Sequence, residues 1–309
     1  MKIGGTGKIP HPFPYQGSKR GIAKHILSYF PSDVRCLIEP FCGSGAISIA
    51  AAAHGFAESF SMNDLNKPLM DLWSEILEHP AVLCEEYERQ WMEQQSNPKE
   101  YFLKTRNEFN KTHDPYRLIY LLARIVKGSV RYSAEGHFNQ SPDNRRLGMK
   151  PDIMRKNIFE VSRLLTNKTS IASVDFRCAA LAAQADDLVY MDPPYQGTSF
   201  TRDHRYLNGL SYDEFVDVLF KMNELNISYI ISYDGATGGK KYGKTLPADL
   251  HLKHLHIYAG RSSQATLLGK NHETIESLYL SPSLALRLNS VEPRYMWGRT
   301  TDQRELTFA

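Results

Sequence analysis

Leu188-Val189-Tyr190-Met191-Asp192-Pro193-Pro194-Tyr195 is the stretch that decides how this chain reads. Its first four residues form an apolar run of strand length, and the next four set a carboxylate, a rigid carbonyl and an aromatic face at the run's carboxyl end. In open α/β sheets ligands bind in the crevice outside the carboxyl ends of the strands. Two successive prolines fix φ and hold the neighbouring acceptors still. A plain rigid turn after a strand is the structural alternative.

Upstream, helix and strand signals alternate. A helix is predicted over 18–30, a short strand over 36–38, an Ala-rich helix over 44–54 closed by Gly55, and a second strand over 58–62. That βαβ pattern implies a parallel sheet. From 67 to about 127 the pattern is mostly helical, with Leu118, Leu121, Leu122 and Ile125 at helical spacing. Residues 128–149 are polar and Gly-containing, too long for a simple connection. Strand signals resume at 169–174, 187–191, 227–232, 254–258 and 273–280, with a helix over 212–225. The chain therefore reads as one α/β domain made of residues 1–80 and 167–309, carrying a mostly helical insertion over 81–166.

With 309 residues the chain can bury a substantial core without staples. Its cysteines, at 36, 42, 84 and 178, fall in no zinc or disulfide spacing, so no metal site is predicted and a reducing, cytoplasmic setting is expected. His251, His254 and His256 lack a nearby carboxylate or thiol partner in sequence and read as a half-exposed strand. No uninterrupted apolar run is long enough to span a membrane, and 1–11 lacks the apolar core of a secretion signal. Net charge is only +3, but over 117–156 nine basic residues face three acids, which suits a polyanion if it is more than a solvated surface.

Glu39-Pro40-Phe41-Cys42-Gly43-Ser44-Gly45 joins the first strand to the Ala-rich helix. Its glycines allow close backbone approach to a ligand, and the helix start supplies unpaired N–H groups. Position 48 holds Ser rather than a third glycine, which favours a nucleoside over a pyrophosphate. Asp64, after the next strand, is placed to accept hydrogen bonds from ribose hydroxyls, or else to cap the following helix. The tetrapeptide suits an exocyclic amine on a base, whose lone pair is delocalised into the ring. Asp192 and the carbonyl of Pro193 can accept the two amine hydrogens, held by Pro194, while Tyr195 stacks on the ring. No Pro-Cys dipeptide exists, so covalent attack by cysteine on a pyrimidine is unsupported.

These residues resemble the DNA adenine methylase family. The likeness takes in Phe13 to Lys19, Ile38 to Gly45, Asn63 to Asn66, Glu108 to Lys111, Asp114 to Arg117, Arg131-Tyr132, Phe138-Asn139 and Val189 to Tyr195, and so covers nearly the whole chain. It implies a Rossmann-like methyltransferase sheet of seven strands, S-adenosylmethionine as methyl donor with S-adenosylhomocysteine as product, and extrusion of an adenine from duplex DNA. By the resemblance, Tyr15, Lys19, Glu39, Phe41, Gly43, Gly45, Asp64 and Asp192 hold the cofactor. Lys127, Arg131, Asn139, Arg145 and Arg146 contact DNA, with Arg131 as a guanine reader and Lys127, Arg145 and Arg146 as phosphate contacts. Lys19 has a plainer alternative as the solvated end of an amphipathic helix.

The resemblance further implies a bacterial, archaeal or phage enzyme and suggests a cognate restriction endonuclease as a functional partner. Residues 139–146 depart from the pattern associated with GATC readers, which leaves the target sequence open. The loop 196–208, with Phe200, Arg202, His204 and Arg205, suits closure over an extruded base or a phosphate contact. Cytosine-N4 methylation, RNA methylation and a catalytically silent DNA-binding paralogue are the competing readings; Asp rather than Ser at 192 favours adenine.

Overall fold

The computed structural model describes residues 9–194, 210–237, 240–242, 245–261 and 273–290. A single 3₁₀ turn, Lys19–Gly21, leads into α1 (Ala23–Leu27), followed by β1 (Cys36–Glu39), α2 (Ala46–His54) and β2 (Ser59–Asn63). Five helices come next: α3 (Lys67–Glu78), α4 (Pro80–Glu93), α5 (Pro98–Thr112), α6 (Pro115–Arg124) and α7 (Pro151–Leu165). The sheet then resumes with β3 (Thr169–Ala172), α8 (Phe176–Leu181), β4 (Leu188–Met191), α9 (Tyr212–Glu224), β5 (Tyr229–Thr237), β6 (Lys240–Tyr242), β7 (Lys253–Arg261), β8 (Glu273–Leu280) and α10 (Pro282–Ser290).

The strands lie in the order β3-β2-β1-β4-β5-β8-β7, with β6 attached to β5 outside that path. Pairs from β3 through β5 are parallel, and β8 runs antiparallel between β5 and β7. This is the mixed seven-strand sheet that the resemblance implied, with one short extra strand. Chain order runs outward from β1 to β2 and β3 on one side, and returns to β4 and β5 on the other. The β1/β4 junction is therefore a topological switch point, where the diverging connections open a crevice. β4 is buried at all four positions, which is why its sequence is a continuous apolar run without alternation.

Alternation still sorts the core into two faces. Leu37, Leu188, Tyr190, Ile230, Leu278 and Leu280 pack with Ile26, Ile47, Trp73 and Met154 on one side. Ile38, Val189, Met191, Tyr229 and Ile231 pack with Phe176, Phe215 and Leu219 on the other. The first core continues without a break into α4 to α7, through Tyr87, Phe109, Tyr120 and Leu165. The helices start where the sequence supplies caps: Asn66, Asn97 and Asp114 accept from Leu69, Glu100 and Tyr116 N–H, each with proline in the first turn.

One local expectation is corrected, and one stretch without a predicted element is defined. The predicted helix over 18–30 breaks at Ile22 (φ −115°) into the 3₁₀ turn and the short α1, and the segment enters through Gly17 at φ +87°. That break turns Lys19 inward, so it is 7% exposed and not the solvated end of a helix. The stretch 128–149 has no long element, but it is pinned rather than loose. Arg124, 2% exposed, donates from Nη1 to the carbonyls of Asp143 and Arg146, while its own carbonyl accepts from Asp143 N–H at 2.7 Å. Gln94 and Tyr87 hold the carbonyls of Leu147 and Met149.

Because a buried guanidinium replaces the missing secondary structure, Arg124→Ala is expected to lower unfolding free energy by about 2–4 kcal/mol. It should also speed amide exchange over 141–148. Denaturant melts and hydrogen exchange check this; wild-type protection in that stretch would contradict it.

Candidate active site

The switch-point crevice collects groups from distant parts of the sequence. Pairing of Leu37 with Leu188 and of Ile38 with Val189 sets the 39–45 turn beside Asp192-Pro193-Pro194. The turn is fixed from three directions. Gly43 N–H donates to Asp64 Oδ2 (3.0 Å), Trp73 Nε1 donates to Gly43 O (3.0 Å), and Ser44 Oγ bonds Ser18 Oγ (2.9 Å). Gly43 and Gly45 both have positive φ (48° and 59°). Their roles differ. A Cβ at Gly45 would lie 2.6 Å from Met62 Cε and 2.8 Å from Trp73 Cζ2, so that glycine serves packing. A Cβ at Gly43 would press on the Tyr15 ring, at 3.2 Å, so that glycine lets Tyr15 pack directly over the turn.

Asp64 does not cap α3; Asn66 does. The Asp64 carboxylate instead bridges Gly43 N–H and Asn66 N–H (both 3.0 Å), and burial pushes its carboxyl above the usual carboxylate range. Asn63 beside it is buried and donates to the carbonyls of Pro40 and Val174, tying the ends of β1, β2 and β3 together. Glu39 is buried and accepts from the backbone N–H (2.8 Å) and hydroxyl of Ser48, so it caps α2 from the neighbouring strand. Burial, opposed by those bonds, holds its carboxyl up to about 7. Phe41 stacks on Phe176 (5.1 Å), on the α8 side of the sheet.

On the α2 side, Lys19 reaches Asp192 Oδ1 (3.3 Å) and Glu276 Oε2 (3.2 Å). Burial drives the Asp192 carboxyl up to about 6, with Lys19 pulling it down and Glu276 pushing it up. Tyr190 lies beneath on the same face, its phenol pushed well up by burial and so neutral. Of the four predicted catalytic residues, Asp192, Pro193 and Pro194 sit at this crevice; Tyr195 and the loop 196–208 lie outside the described residues. Tyr15, Lys19, Gly43, Asp64 and Asp192 are brought together here. Glu39 and Phe41 flank the turn, engaged with Ser48 and Phe176.

The polar stretch forms a small hairpin in which Tyr132 pairs with Phe138, and Asn139 N–H donates to Arg131 O (3.1 Å). Arg131 and Asn139 thus stand across from each other, both exposed. Tyr132 and Phe138 anchor the hairpin in the core, and Asn110 clamps both backbone groups of Phe138. The hairpin also touches the cofactor side: Tyr132 Oη bonds Asn66 (3.2 Å), and Gln16 N–H donates to Gly128 O (3.0 Å). Arg145 and Arg146 are exposed on the loop that Arg124 pins. The Lys127 side chain lies outside the described residues. Glu276 went unnoticed in the sequence, although it shares the inward parity of Leu278 and Leu280 on β8. An acid at an inward strand position was the available signal.

Residues 15–261 match the family described as D12 class N6 adenine-specific DNA methyltransferase. The chain belongs to that family. It is an enzyme that methylates adenine in DNA, which sets aside the cytosine, RNA and silent-paralogue readings. It is 28% identical over 285 residues to a Type II methyltransferase, M1.LlaDCHI, of Lactococcus lactis subsp. cremoris, covering 86% of this chain and 94% of the relative. A DNA adenine methylase of Vibrio cholerae is 26% identical over 238 residues (72% and 80%). The DNA adenine methylase of Escherichia coli is 29% identical over 199 residues (60% and 65%). Among the described residues no helix is long and apolar enough to cross a membrane, and no cluster of potential metal ligands occurs.

The titration of Glu39 gives a stability test. Its native pKa lies above the ordinary 4.5, so the folded chain keeps a proton that the unfolded chain has released. The resulting stability is full below about 4.5 and lost as pH rises through about 7. Glu39→Gln keeps an acceptor for Ser48 without titrating. Relative to wild type, the variant should therefore gain about 1–3 kcal/mol between about pH 4.5 and about pH 7.5 in urea melts. Parallel curves for the two proteins would contradict the assignment.

Proposed function

We propose that the enzyme transfers a methyl group from S-adenosylmethionine to the N6 amine of an adenine extruded from duplex DNA, with Asp192 as the amine acceptor. The observation that carries this reading is the juxtaposition at the β1/β4 switch point of an acid-lined glycine turn with a buried carboxylate on a rigid Pro-Pro segment. The residues suit the cofactor: an aromatic ring, Tyr15, packed over the Gly43 backbone, a carboxylate at Asp64, and a net acidic setting for a cationic ligand. When bound, S-adenosylmethionine supplies an electrophilic methyl on sulfur and departs as S-adenosylhomocysteine.

The protein's own part is to position and to withdraw protons. Asp64 is placed to accept from ribose hydroxyls, and Tyr15, with Phe41 and Glu39 shaping the turn, encloses the nucleoside. Asp192 and the Pro193 carbonyl accept hydrogen bonds from the two amine hydrogens of the base, localising the nitrogen lone pair for in-line attack, and the proton that the methylated nitrogen sheds passes to Asp192 and from there to solvent. Asp192 must be ionised to do so, which gives activity an acidic limb near pH 6. Tyr195 is assigned to stacking on the extruded ring. Extrusion costs a few kcal/mol, which a wide basic surface can offset. Residues 81–166 are proposed as the target-recognition unit that provides it.

On this reading Arg131, with Asn139 opposite, reads base edges, and Lys127, Arg145 and Arg146 neutralise phosphates. Similarity to a Type II methyltransferase supports a setting in which the methylation protects DNA from a partner endonuclease.

Asp192→Asn keeps size but cannot carry the charge. It is expected to lose methyl transfer by about a hundredfold or more while binding duplex DNA normally, read as N6-methyladenine by mass spectrometry of digested DNA. Undiminished product would refute the mechanism. The two arginine classes separate by salt titration. Arg131→Ala should cost about 1–3 kcal/mol on the preferred site and relax its specificity. Arg145→Ala should weaken all duplexes alike and reduce the salt slope by about one. Identical behaviour of the two variants would overturn the division.

A further inference from the structure

The ammonium of Lys19 is shared by two acids from strands that the fold brings together only through β5. Asp192 ends β4, Glu276 lies on β8, and β5 runs between them, parallel to one and antiparallel to the other. The pairing of β5 with β8 shifts register between Ser232 and Gly235, so that Glu276 stands opposite Gly235 where the strand bulges. Bulges of this kind re-aim side chains beside active sites. Lys19 itself is brought inward by the break before α1 and lies 3.3 Å from Asp192 Oδ1 and 3.2 Å from Glu276 Oε2. All three side chains are mostly buried, and the Lys19–Glu276 contact is a hydrogen bond.

We infer that Glu276 is a positioning residue for methyl transfer: it draws the Lys19 ammonium away from Asp192, leaving the Asp192 carboxylate basic enough and open enough to accept the hydrogens of the adenine amine. The inference rests on the proposed role of Asp192. Its physical content is competition. A buried ammonium with one carboxylate forms a tight charge-assisted pair that occupies the acceptor. With two carboxylates it is held between them, and neither is fully neutralised. Lys19 engages Asp192 through Oδ1, and Oδ2 is assigned to the amine of the base. The same competition keeps the Asp192 proton affinity high, since the Glu276 charge raises it against the opposing pull of Lys19.

Among the described residues, the titratable groups around Asp192 are Lys19 on the 3₁₀ turn, Glu276 on β8, Glu39 on β1 and Tyr190 on β4. Only the first two contact one another and are altered by a change at 276; Glu39 and Tyr190 are common to every variant. Removing the Glu276 charge lowers the Asp192 pKa, so the acidic limb of the rate profile moves to lower pH while the plateau falls.

Single-turnover methylation of duplex DNA, followed across pH, tests this. Glu276→Gln is expected to lower the plateau rate by about ten- to a hundredfold with the KM for DNA unchanged, and to move the acidic limb down by about one unit. Glu276→Asp, which keeps the charge, should leave the limb at its wild-type position. If the Gln variant does not fold, Glu276→Ser, also uncharged, is read in the same way. A wild-type plateau, or a lowered plateau with an unmoved limb, would overturn the inference. Asp192→Asn in the same assay keeps the two levels apart: an inactive Asp192→Asn with an unaffected Glu276→Gln overturns only the role of Glu276, whereas an active Asp192→Asn removes its basis.

Discussion

Everything in the crevice depends on the parallel pairing of β1 with β4. Those strands are separated by almost 150 residues of sequence, yet the register of Leu37 with Leu188 sets the glycine turn and the Asp-Pro-Pro segment side by side. The intervening chain leaves the sheet after β2, forms the helical layer, and re-enters at β3 and β4. A switch point results because the connections from β1 and from β4 lead away in opposite directions. The helical layer is not a loose appendage to this arrangement. It shares the core on the α2 face, its Tyr132 hydroxyl bonds Asn66, and its Gly128 carbonyl accepts from Gln16 N–H.

The crevice is also an electrostatic compromise. Glu39, Asp64, Asp192 and Glu276 converge on a small, mostly buried region, with Lys19 as the cation that contacts two of them. Isolated buried carboxylates cost free energy and respond by holding protons. Glu39 does so while capping α2, and Asp64 is relieved by two backbone N–H groups. Among the described residues, Asp192 is relieved by Lys19. Such tension is typical of groups that must bind a ligand through an acceptor they do not themselves satisfy.

Much of this was legible in the sequence because it rests on local signals. The apolar run before Asp192 announced a buried strand, the helical spacing of Leu118, Leu121 and Leu122 announced a helix, and Gly43-Ser44-Gly45 announced a tight approach of backbone to ligand. What escaped reading depends on contacts distant in sequence. The inward turn of Lys19 was not readable, because the chain break at Ile22 falls inside a stretch with a helical pattern. The packing demand on Gly45, where a Cβ would collide with Met62 and Trp73, was also hidden. Arg124 read as one more basic residue of a charged stretch, and its burial beneath the 143–148 loop follows only from tertiary structure. Glu276 was hidden among strand residues whose partners lie elsewhere in the chain.

The central claim is that Asp192 meets the amine of an extruded adenine beside the glycine turn. A crystal structure of the enzyme with duplex DNA and S-adenosylhomocysteine tests it most directly. The account predicts one adenine outside the helix, its N6 within hydrogen-bond distance of the Asp192 carboxylate and the Pro193 carbonyl, with the cofactor ribose on Asp64. An adenine left stacked in the duplex, or extruded into a pocket that Asp192 does not line, would contradict it.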